Sequence, residues 1–223
     1  MPEEIWKLNC NFSKPLPKIL TPQNYLQNNF TFFTLPDTKK TVKPTKGEEL
    51  HNKWTKMCPN ISQEFFEKVT EMAERLNFNP DDLCAIMFRE SGFKPNAHGK
   101  NPKTGVDYYG LIQMDSTALK NAINHTIETE GKACGLDSKM TLAKYAKLPR
   151  EKQLKYSEAY IKFRIDEKGL TGKKLTGGQL WTLINSPKNI NNQKFVDKNQ
   201  TRIDKVQKLL TKYEDQPKLS QKV

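Results

Sequence analysis

The stretch "NFNPDDLCAIMFRESGF", residues 77–93, decides how the chain is read. Asn79 can cap a helix and Pro80 suits the first helical position, where no N–H is needed. Asp81 and Asp82 then stand at the positive end of the helix dipole. The pattern predicts a helix over 80–90 that stops near Gly92. On it Leu83, Ile86 or Met87, and Glu90 recur at helical spacing and share one face. Glu90 therefore points where the apolar side chains point, in a last turn whose unpaired carbonyls disfavour a carboxylate. Burial and the dipole both raise its pKa. A carboxylic acid still protonated near neutral pH is what a general acid needs. The competing reading is an ion pair with Arg89 or another cation, or exposure at the frayed helix end.

Around this helix the sequence is mainly α. After the capping residue Ser62, Phe65, Phe66, Val69, Met72, Ala73 and Leu76 repeat at helical spacing. Further helices are expected at 113–130, 150–168, 176–186 and 200–213, the third of these opening with the Thr176/Gln179 capping-box spacing. Alternating strand patterns are scarce. Residues 1–58, rich in Pro, Asn, Thr and Lys, read as an extended arm, with "NNFTFFTL" (28–35) as a β-prone segment able to pack on the core or a partner. The expected organisation is an arm over 1–58, a helical domain over 59–190 and a basic helical extension over 191–223.

With 223 residues, the chain can bury one sizeable core. Its net charge of +12 predicts attraction to polyanions. The lysines are spread along the chain, so a nucleic-acid patch rests on charge alone and nucleic acid is not the expected partner. Four cysteines, at 10, 58, 84 and 134, have neither zinc spacing nor disulfide density. No metal constellation and no cofactor motif is read. The start has no secretory signal pattern, and no apolar run reaches membrane-spanning length.

Downstream, "NAHGKNPKTGVDYYGLIQM", residues 96–114, is a Gly/Pro/Asn-rich loop ending in two tyrosines and an apolar stretch with one amide. Taken with "ESGFKPNA", it resembles the lysozyme-like lytic transglycosylase domain, through Glu90, Ser91, Phe93, Pro95, Ala97, Gly110, Leu111, Ile112 and Gln113. "TGGQLWTLINSPKNI", residues 176–190, is similar to the family's late segment through Asn185 and Pro187, with Ile184 where the family usually has Tyr. The resemblance covers roughly residues 60–190.

The resemblance implies a helical lysozyme-like fold with a sugar cleft, cutting peptidoglycan between N-acetylmuramic acid and N-acetylglucosamine. One Glu, here Glu90, acts first as acid and then as base while the muramic hydroxyl attacks, leaving an anhydro end without a cofactor. This needs one carboxyl rather than the usual glycosidase pair. Implied substrate contacts are Ser91, whose other reading is a cap at the end of its own helix, Gln113, Tyr108 and Tyr109, whose other reading is core packing, and Asn185. Tyr160 and Tyr156 stand one turn apart on a later helix, as core or as sugar-facing aromatics. Asp107 or Asp115, if facing Glu90, would instead make a hydrolytic lysozyme. A wall-binding protein without turnover is the reading from another class. Without a leader, delivery within a phage virion or by a non-Sec route is expected, the arm contacting a phage structural or secretion-machine protein.

Overall fold

The computed structural model describes residues 43–214. The segment 28–35, Cys10, most of the expected arm and the last nine residues lie outside the described residues. Eight helices and one small hairpin make up the described part. They are α1 (Lys46–Trp54), α2 (Gln63–Leu76), α3 (Pro80–Ser91), β1 (His98–Lys100), β2 (Asp107–Tyr109), α4 (Ser116–Glu130), α5 (Leu142–Tyr145), α6 (Arg150–Glu167), α7 (Gly177–Asn185) and α8 (Gln193–Glu214). The strands are antiparallel, with Gly99 opposite Tyr108.

The helix starts follow the capping chemistry. Ser62, Asn79, Asp115 and Thr176 each accept a backbone N–H of the first turn, and Thr176 and Gln179 complete a capping box. Asn77 and Gly92 end α2 and α3 in the left-handed conformation. Residue 113, where a helix over 113–130 was expected to open, lies in a turn over 110–113 instead, and α4 begins at Ser116. Gln113 itself has φ 54°, so the chain is already out of helical geometry there.

Two boundaries are corrected. Residues 46–54, placed in the arm by their composition, form α1 against α2 and carry a core residue. Trp54 is fully buried, donates its indole N–H to Asp81 Oδ1 at 2.7 Å, and meets Phe93 edge-on at 5.4 Å. Phe65, Phe66 and Phe88 complete this aromatic nucleus around Phe93. The region 191–223, read as an extension, holds α8, which begins seven residues before the expected start at 200. Val196, Ile203, Val206 and Leu210 are buried on one side of it. Gln207 Nε2 donates to Asp82 Oδ1 at 2.9 Å and ties α8 to α3. The helical unit thus starts at Pro44 and includes α8.

Candidate active site

Glu90 is the penultimate residue of α3. Leu83 and Met87, seven and three residues before it, are fully buried, so the helix carries the carboxyl toward the core, leaving it partly exposed. There it meets α7. Trp181 Nε1–H donates to Glu90 Oε1 at 2.7 Å, from an indole that is only 2% exposed. Above the indole lies Arg202 of α8, its guanidinium carbon 5.7 Å from the ring centre. Arg202 Nη1 donates to Asn199 Oδ1 at 3.2 Å, and the fully buried Asn199 donates to Thr182 Oγ1 at 3.0 Å. Three helices therefore converge on one carboxyl.

The electrostatics at Glu90 run in both directions. Burial raises its pKa above the ordinary carboxylate value, and the Trp181 hydrogen bond, then Arg202 and Arg89, pull it back down. The net direction is up. The position at the C-terminal turn of α3 acts in the same sense as burial. The result is a carboxyl biased toward its acid form, beside an N–H and two cations that favour the carboxylate once its proton has left. Among the described residues, hydrogen bonding to Glu90 goes to Oε1.

Next to Glu90, the turn 110–113 is fastened by side chains the sequence had marked for substrate. Ser91 Oγ lies 2.9 Å from the Met87 carbonyl and 3.0 Å from that of Leu111, which share its proton. It is buried, so its hydroxyl is used to dock the turn on the end of α3. Gln113 Nε2 donates to the carbonyls of Ala97 and Gly110 at 3.1 and 3.0 Å. Gly110 has φ 84°, and a Cβ there would sit 2.5 Å from the Tyr145 ring and 2.6 Å from Gln153 Oε1. The close approach, as well as the backbone angle, requires glycine.

The remaining expected residues are dispersed. Tyr108 and Tyr109 lie half-buried on β2, with Tyr109 stacked on His98 at 4.5 Å. Tyr160 is buried and donates to the Ile184 carbonyl at 2.9 Å, joining α6 to α7. It is a core residue, as is Tyr156. Asn185 is exposed at the end of α7. Asp107 pairs with His98 Nε2 at 2.8 Å, and that contact lowers its pKa. Asp115 caps α4, accepting from the Ala118 N–H at 2.7 Å. Two grooves, of about 550 Å³ between α2 and α6 and about 310 Å³ at the start of α1, are not lined by Glu90.

Three contributors escaped the sequence reading. Arg202 and Asn199 lie in the region taken as an extension, although the spacing of Val196, Asn199, Ile203, Val206 and Leu210 would have marked a core helix. Gln153 is fully buried on α6. Its amide donates to the carbonyls of Pro95 and Tyr145 at 2.7 and 2.8 Å and accepts from the Leu111 N–H at 3.2 Å. No sequence signal separates such a glutamine from the surface ones. Among the described residues there is no cluster able to hold a metal ion, and no helix is long and apolar enough to cross a membrane. No family model, curated protein or solved structure matches the chain.

Proposed function

We propose that this chain cleaves the bond between N-acetylmuramic acid and N-acetylglucosamine in peptidoglycan without water, through Glu90 alone. The observation that carries the reading is the Glu90–Trp181–Arg202 arrangement: a carboxyl with a raised pKa, one oxygen held by an indole N–H and the other left to carry a proton. Protonated Glu90 gives its proton to the glycosidic oxygen as the C1–O bond breaks. The carboxylate, steadied by the Trp181 N–H and the Arg202 charge, then takes the proton of the muramic C6 hydroxyl as that oxygen bonds to C1. Glu90 returns to its starting state and the product carries a 1,6-anhydro ring. A hydrolytic course needs a second carboxylate to activate water. Asp115 is engaged as the α4 cap and Asp107 in its pair with His98, which favours the single-carboxyl course.

The test is mass spectrometry of purified peptidoglycan digested by the wild type, with Glu90→Gln as control. Anhydro-muramic ends that need Glu90 are the expected outcome. Reducing ends would assign hydrolysis. Intact glycan under conditions where the folded protein binds it would leave a wall-binding protein without turnover.

A further inference from the structure

We propose that the solvent face of α8 is a cationic track for the stem-peptide carboxylates of peptidoglycan, with Arg202 joining the track to the candidate site. The identity of the polymer rests on the function proposed above. Lys194, Lys198, Arg202, Lys205, Lys208 and Lys212 follow one another at three- or four-residue steps. At about 100° per residue they fall within an arc of about 120° and run about 27 Å along the helix. The five lysines are exposed, while Val196, Asn199, Ile203, Val206 and Leu210 occupy the opposite, buried side.

Among the described residues, the five lysines of this face have no ion-pair partner. Acids are available on the same helix but take other partners: Asp197 accepts from Gln193 at 2.7 Å and Asp204 from Gln200 at 2.9 Å. Asp204 stands four residues before Lys208, the favourable spacing for an ion pair, yet the amide holds it. Like charges at these steps destabilise a helix. An anionic chain laid along α8 removes that repulsion.

Arg202 distinguishes this face from an ordinary solvated one. It is a step of the track, four residues after Lys198 and three before Lys205, and its guanidinium also lies over Trp181, close enough to influence Glu90. A polyanion on the track is therefore brought beside the carboxyl. Of the polyanions that +12 attracts, the one with a reason to lie there is the polymer cut at Glu90.

The experiment measures co-sedimentation with purified sacculi in a Glu90→Gln background, so that binding is read without cleavage. The triple substitution Lys198→Gln, Lys205→Gln and Lys208→Gln keeps helix propensity and touches no candidate catalytic group. Expected is about tenfold weaker binding at low salt, a difference that fades as salt screens the charges, and no difference on sacculi stripped of stem peptides by an amidase. Unchanged binding to intact sacculi, an equal loss on stripped glycan, or a loss seen only with duplex DNA overturns the track. The digestion experiment is read separately. Anhydro products with an ineffective triple substitution sink the track alone, and a lost sacculus affinity without any products sinks the activity alone.

Discussion

At the residue scale, Glu90 and Trp181 define each other. The indole N–H opposes the effect of burial on the carboxyl, so Trp181→Phe should raise the Glu90 pKa further. A general acid works while protonated, so the alkaline limb of kcat/KM against pH should move to higher pH in that variant. An unmoved limb would mean that Glu90 is not the group titrating. Glu90→Gln should cut turnover by about 10²–10⁴-fold while keeping an acceptor for Trp181. Its stability follows from linkage. A folded pKa raised above the unfolded value means the native state binds more protons between the two, so stability falls as pH rises through that window. Glu90→Gln should therefore be more stable than wild type at neutral pH, with the advantage shrinking below the unfolded carboxylate range. Paired thermal melts at pH 4 and 7 measure it, and an advantage that grows toward acid would reverse the assigned sign.

At the element scale, the site depends on a turn that contributes no chemistry of its own. The 110–113 turn is held against α3 by Ser91 and against α6 by Gln153. Replacing Gln153 by Ala strands the Leu111 N–H and the Pro95 carbonyl, whereas the Tyr145 carbonyl keeps the Leu148 N–H. Each buried group left unpaired costs about 1–3 kcal/mol. Urea denaturation of Gln153→Ala should register a loss of at least that order, and a neutral result would show that water replaces the amide. Helix α1 illustrates how packing gives a polar segment its place. Within "KGEELHNKW" only Leu50 and Trp54 offer large apolar groups, too few for a periodic signal, but both are buried on α2 and Trp54 enters the aromatic nucleus. Trp54→Ala should cost about 3–5 kcal/mol.

At the scale of the whole molecule, α8 closes the core, carries Arg202 and Asn199 to the site and exposes its lysines. The cooperative unit should therefore begin near Pro44 and include α8. A chain starting at Lys43 should keep a single thermal transition, whereas one starting at residue 56 loses Leu50 and Trp54 and should lose that transition. Retention of the full transition by the shorter chain would return α1 to the arm.

The local chemistry of residues 77–93 determined α3 and its caps, because capping, proline placement and apolar spacing act within a few residues. The same spacing turned Glu90 inward and predicted the direction of its pKa, since helix geometry fixes which neighbours share a face. Capping and spacing elsewhere in the sequence determined the mainly helical class and the extents of α2, α6 and α7 to within a residue or two. Only the tertiary structure decided what meets Glu90. Trp181 and Arg202 lie 91 and 112 positions further along the chain, and no local rule links such distances. Tertiary packing likewise decided that Ser91, Gln113 and Tyr160 hold the fold together. A buried polar side chain takes whatever backbone group the assembled core leaves unpaired, and that group is set by the packing of distant helices.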